Sequence, residues 1–164
     1  MGRKSIKENK NEYQLAREAA DLTRAEASEL MEFVSESRIE KIESEKVEPH
    51  PDEIMAMAKA YKKPALCNYY CSTQCPLGQT TVAHVEAKDL SQITLELLAS
   101  LNHLNQEKDR MIEISADGMI TDDELEDFTR IKTQLNQISM AADSLQLWID
   151  NTIAAGGIDS NKLQ

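Results

Sequence analysis

Between Leu90 and Ile149 the apolar residues recur in steps of three and four, a spacing that only a helix can turn onto one face. Leu90, Ile93, Leu97, Leu101, Leu104 and Met111 mark one run, expected to be helical from about Ala87 to Ile114. Leu125, Phe128, Ile131, Leu135, Ile138, Ala142, Leu145 and Ile149 mark a second, from about Asp122 to Ala155. The repeat has the heptad-like character of a coiled-coil seam, and each rod should be roughly 40–50 Å long at about 1.5 Å per residue. The short turn between them implies an antiparallel hairpin. Leu95, Leu98, Leu147 and Trp148 fall off the main seam. Two helices cannot cover that much apolar surface, so a partner is implied: the rest of the chain or a second subunit.

The same helical reading extends toward the N-terminus. Aromatics make up 4 % of the chain and Gly and Pro together number nine, a scarcity of strand formers and breakers that points to an all-α fold. Leu15, Ala16, Ala19 and Leu22 predict a first helix from about Lys7 to Ala20. Thr23 followed by Glu26 is a capping box that opens a second helix, Arg24 to about Met31. Ser35 is the next N-cap, before a third helix carrying Ile39 and Ile42 and reaching about residue 46. Pro51 suits the first turn of a fourth helix bearing Ile54, Met57, Ala58 and Tyr61. A short fifth helix is expected over PALCNYYCSTQC, ending at Pro76. The organisation expected is a domain over 1–75, a linker over 76–86 and a hairpin over 87–164.

Charge divides along the same boundary. Residues 1–63 hold 12 Lys/Arg against 14 Asp/Glu, whereas residues 64–164 hold 6 against 15, within a total of −11. The acidic second part repels nucleic acid, so any DNA contact must come from the first. No apolar run approaches the roughly 20 residues needed to span a bilayer. The opening MGRKSIKENK lacks the apolar stretch of a secretory signal, and Ile6 stands where a myristoylation motif beginning at Gly2 needs Ser or Thr. A cytoplasmic location with no membrane partner is the expectation.

The segment from about residue 10 to residue 63 resembles the lambda-repressor-like, Xre-type helix-turn-helix family. The likeness rests on Leu22-Thr23, Ala27, Val34-Ser35-Glu36-Ser37, Ile39 with Ile42-Glu43, the Pro49 and Pro51 break, and IMAMAKAY. It implies that the third helix enters the major groove of double-stranded DNA, with Glu36, Ser37, Arg38 and Lys41 near base edges. The start of the second helix would lie on the DNA backbone, with Arg24 adding a phosphate contact, and Ser35 completes the expected DNA-binding set. The chain departs from the family in its turn, Glu32-Phe33, which lacks the usual glycine and is one residue longer. Its third helix is also acidic, with Glu36, Glu40, Glu43 and Glu45. The function implied is a sequence-specific transcriptional regulator, active as a homodimer, whose hairpin dimerises or receives a signal. The alternative is a protein-interaction module that keeps the fold without DNA binding.

Two further motifs carry possible chemistry. Cys67, Cys71 and Cys75 are spaced four apart and would line one helix face, with His84 the nearest additional soft ligand. They suit buried packing, a Zn²⁺ or iron–sulfur site, or a redox-sensing thiol. EISADGMITDDEL places Glu113, Ser115, Asp117, the Met119 carbonyl, Thr121 and Glu124 at the ligand positions of an EF-hand loop over 113–124. Glu113 replaces the Asp required first, and the same residues suit a helix-hairpin turn without Ca²⁺: Gly118 left-handed, Thr121 and Glu124 as a capping box. The remaining histidines, His50 and His103, share no motif with a nucleophile, and no phosphate-cradling loop is present. The chain is expected not to be an enzyme and to need no cofactor.

Overall fold

The computed structural model describes residues 9–159 and residue 162. Among these the chain is all-helical, with α1 Glu12–Ala19, α2 Arg24–Met31, α3 Glu36–Glu43, α4 Pro51–Ala60, α5 Ala65–Thr73, α6 Gly78–Thr81, α7 Leu90–Gln106, α8 Lys108–Ser115 and α9 Leu125–Ala154. No helix among the described residues is long and apolar enough to cross a membrane. The described residues divide into two compact units, one made of those up to His84 and from Ile149 onward, the other of Val85–Trp148.

In the first unit the helix starts follow from side chains that satisfy orphan amides. Asn11 accepts from the Gln14 amide at 3.0 Å and also donates to the Ile42 carbonyl at 2.8 Å, so the cap of α1 is pinned to α3. That cap sets the start of α1 at Glu12 rather than at Lys7, which lies outside the described residues. Thr23 and Glu26 form the expected capping box of α2. Ser35 caps α3 and Pro51 occupies the first turn of α4. The core these helices enclose includes Tyr13, Ala16, Ala27, Met31, Val34, Ile39, Ile42, Ile54, Met57 and Leu66. Tyr13 meets Tyr69 of α5 edge-to-face with ring centroids 5.8 Å apart, and its hydroxyl donates to Gln74 at 2.8 Å.

Helix ends in this unit depend on left-handed residues that are not glycine. After α3 the Glu45 amide donates to Ile42 and the Lys46 amide to Lys41, a Schellman ending with Glu45 at φ 58°. This ending stops α3 at Glu43, short of the expected residue 46. Asp21 and Lys62 do the same after α1 and α4, at φ 55° and 52°. After α2, Glu32 sits at φ 60° and ψ −50°, and Phe33 donates to Met31 across it at 2.6 Å in a tight γ-turn. The turn between Met31 and Glu36 leaves Phe33 62 % exposed, while Val34 beside it is buried. The segment expected as a linker over 76–86 is structured as far as His84. Asn68 donates to the Ala83 carbonyl at 2.9 Å, and α6 lies so close to α5 that a Cβ on Gly78 would collide with the Cys71 carbonyl.

In the second unit the expected first rod is two helices, because α7 ends at Gln106 and α8 begins at Lys108. The second rod starts at Leu125 rather than Asp122. α8 and α9 run antiparallel: Arg110 reaches Asp127 at 2.6 Å, and Arg130 reaches Glu107 at 2.8 Å. The buried positions are Ile93, Ser100, Ile114, Ile131, Ala141, Ser144 and Leu147. Leu101 and Leu135, expected in the seam, are 44 % and 43 % exposed, whereas Leu147, expected off it, is buried. The stripe is therefore rotated toward smaller residues, and Ser100 and Ser144 satisfy their hydroxyls on carbonyls four residues back.

Left-handed glutamates carry a steric cost of roughly 1 kcal/mol or more that glycine avoids. Glu32→Gly and Glu45→Gly should each stabilise the first unit by about 1 kcal/mol, seen as a higher urea midpoint with an unchanged slope.

Candidate nucleic-acid interface

The surface that would face DNA is made by the start of α2, the turn after it and the exposed side of α3. Ser28 of α2 donates to the Val34 carbonyl at 2.8 Å, which fixes the turn against the helix before it. Beneath this surface lies a shared carboxylate. Glu43, 1 % exposed, accepts from Arg17 Nε at 2.6 Å, Arg17 Nη2 at 2.9 Å and Arg24 Nε at 2.9 Å. Arg17 also donates to the Leu22 carbonyl at 2.7 Å. Burial pushes the Arg17 guanidinium down, and its bonds to Glu43 more than reverse this, leaving it above its ordinary value. One anion thus joins α1, α2 and α3.

Arg38 is committed in the same way. Its Nε and Nη2 meet the two oxygens of Glu53 on α4 at 2.6 and 2.8 Å, and Nη2 also reaches the Glu48 carbonyl at 2.9 Å. The pairing with Arg38 holds the Glu53 carboxyl below the usual carboxylate range against the opposing effect of burial, with help from the His50 amide. Of the residues singled out from sequence, Arg24 and Arg38 are therefore held by carboxylates. Ser35 caps its own helix by accepting from the Arg38 amide. Glu36, Ser37 and Lys41 are exposed, and Lys41 has no ion-pair partner among the described residues. Glu29, Glu32 and Glu40 are exposed on the same elements, as are Leu30 at 59 % and Phe33 at 62 %. Sequence reasoning missed Arg17 and Glu53; the signal was two arginines and two glutamates too close to apolar core positions to lie in water.

Residues 14–66 match a family profile described as helix-turn-helix. The N-terminal domain is a helix-turn-helix domain of the lambda-repressor-like type. No curated protein and no solved structure matches the chain. The helix-turn-helix match covers the capped α2, the turn and α3 described above, together with most of α1 and all of α4.

The other two motifs are placed differently from a ligand set. Cys67 and Cys71 lie on α5 and Cys75 just beyond it, while His84 Nδ1 is 3.0 Å from Ser72 Oγ. Among the described residues no three His, Cys, Asp or Glu side chains come together as metal ligands. Burial, with Cys71 nearby, pushes the Cys67 thiol up, away from the reactive thiolate. In the 113–124 turn the residues at calcium-ligand positions bond to their neighbours. Glu113 pairs with Arg110 at 3.1 Å, Asp117 accepts the Met119 amide at 3.0 Å, and Thr121 donates to Glu124 at 2.7 Å. Gly118 is left-handed at φ 71°. Only half the expected capping box forms, because Thr121 donates to Glu124 through both its amide and its hydroxyl.

Because the Glu53 carboxyl is lowered, the stability its pairing provides is complete above the ordinary carboxylate pKa and is lost as pH falls below it. Arg38→Ala should cost about 1–3 kcal/mol near neutrality. The gap from the native chain should close as urea midpoints are followed from about pH 6 down to about pH 3.

Proposed function

We propose that the chain is a DNA-binding transcriptional regulator rather than an enzyme, one that docks the exposed side of α3 in the major groove of double-stranded DNA. The observation that carries this is a helix-turn-helix domain whose third helix leaves Glu36 and Ser37 at its start and Lys41 in its last turn in solvent. Lys41 is the cation available for a base edge or phosphate, and Ser37 is a hydrogen-bonding partner beside it. Arg24 and Arg38 act by bracing the helices rather than by reading bases, since their guanidiniums already serve Glu43 and Glu53. Glu36 would accept from cytosine amino groups, the contact for which a carboxylate is suited. The chain works as a homodimer, because Leu95 and Leu98 on α7 are 69 % and 57 % exposed and call for a covering partner.

The second reading, a helix-turn-helix used for protein contact, is favoured by one feature. Glu29, Glu32, Glu36 and Glu40 surround the exposed Leu30 and Phe33 in sequence, which suits a basic segment with apolar anchors. The two readings separate on salt and ligand. Genomic fragments should be enriched by the purified chain at about 50 mM salt and released as salt rises. Lys41→Ala should weaken the selected site by about 1–3 kcal/mol, and Phe33→Ala should leave it unchanged. If no fragment is retained at about 50 mM salt, the DNA reading gives way to the protein-contact reading.

A further inference from the structure

The second unit distributes its charges so that one cation is left over. It holds five Lys/Arg among 13 Asp/Glu. Lys88, Lys108, Arg110 and Arg130 each face a carboxylate, at 2.7, 3.8, 2.6 and 2.8 Å respectively. Among the described residues Lys132 has no such partner, although acids outnumber bases by more than two to one around it. Lys132 is exposed on α9, so its ammonium is open to an anion from solvent.

Lys132 lines a pocket formed by α8, the following turn and α9, with a volume of about 310 Å³. Its walls are apolar: Met111, Ile114, Ile120, Phe128, Ile131 and Leu135. Ile114 and Ile131 form the buried floor, at 5 % and 2 % exposure. Met111, Phe128 and Leu135 remain about two-fifths exposed, at 42 %, 38 % and 43 %. Ser115 adds a hydroxyl whose proton is already given to the Ile112 carbonyl at 3.0 Å. The volume lies at the small end of ligand sites, whose usual range is about 300–1,000 Å³. An apolar hollow with an exposed, unpaired lysine among its lining residues is complementary to an aliphatic chain that ends in an anion.

We propose that this pocket binds a medium-chain aliphatic carboxylic acid as its carboxylate, with the tail against Ile114, Phe128 and Ile131 and the headgroup on Lys132 Nζ. A second hairpin laid over the same pocket would bring another 13 carboxylates against an already acidic unit. A single carboxylate on a short tail matches one ammonium and one cavity. The unit's overall negative field acts at longer range and is damped beyond about 8 Å at physiological salt. This assignment does not depend on whether the first unit binds DNA.

Calorimetric titration of the full chain with sodium decanoate, below its micelle-forming concentration, tests the site. Saturable binding of one decanoate per chain is expected, with 1-decanol bound about tenfold more weakly and decyltrimethylammonium not retained. Lys132→Ala should lower decanoate affinity about tenfold, to the level of the alcohol, with unchanged helical circular dichroism, and Lys132→Arg should restore it. No saturable heat with decanoate would overturn the assignment. So would equal affinity in Lys132→Ala, or tighter binding of the cationic amphiphile, which would show that the acidic surroundings govern the pocket.

Discussion

Glu43 is where the helix-turn-helix domain is held together. A carboxylate that is 1 % exposed needs partners for its oxygens in place of water, and it has two, Arg17 from α1 and Arg24 from α2. Its own position on α3 is set by Ile39 and Ile42, which bury the opposite turns of that helix in the core. The angle between α2 and α3 is therefore fixed by an electrostatic contact on one side and apolar packing on the other. Such a network is weak evidence of net stability, since desolvating three charges costs much of what their attraction returns. Its value is directional: an Arg–carboxylate fork accepts one geometry, and a helix-turn-helix needs one geometry.

That geometry uses up the cations from which DNA affinity would ordinarily come. Arg17, Arg24 and Arg38 are all bonded to carboxylates within the domain. What is left on the exposed side of α2 and α3 is Lys41 among Glu29, Glu32, Glu36 and Glu40. Non-specific binding scales with the number of phosphates a protein neutralises, so an α2–α3 surface with one free cation among the described residues should contribute little to it. Any selectivity must come from hydrogen bonds to base edges and from pairing two copies on one site, and a weak non-specific background favours it.

Much of the fold was legible because caps and apolar spacing are local signals. Thr23 with Glu26, Ser35 and Pro51 each place a helix start within a residue of where it is found. What could not be seen locally was long-range pairing. Arg38 looks like a base-reading residue by position, and only the packing of α4 beside α3 shows that Glu53, fifteen residues on, holds it. Helix ends were misplaced where a non-glycine adopts the left-handed conformation, as Glu45 does, because sequence gives no reason to expect it there. The break at Glu107 was invisible for a related reason, since the apolar period runs through it unchanged from Leu104 to Met111.

The rotated stripe of the second unit connects these observations to the surface it leaves open. Periodicity identifies the helical face that carries leucines, but several of the buried positions hold small side chains: Ser100 on α7, Ala141 and Ser144 on α9. Hydroxyls that bond back to their own helix can be buried at little cost, so serine serves there as a small, nearly apolar residue. The larger side chains are then displaced to the flanks, which is why Leu101 and Leu135 stay in solvent although they obey the repeat. On α8 and the facing part of α9 the ion pairs Arg110–Asp127 and Arg130–Glu107 fix the register of the two helices. Phe128 and Leu135, on the same stretch of α9, are left to wall a hollow rather than fill it. Small buried residues, charged pairs fixing the register of α8 against α9 and exposed apolar flanks are thus one arrangement, a hairpin that leaves part of its apolar surface open.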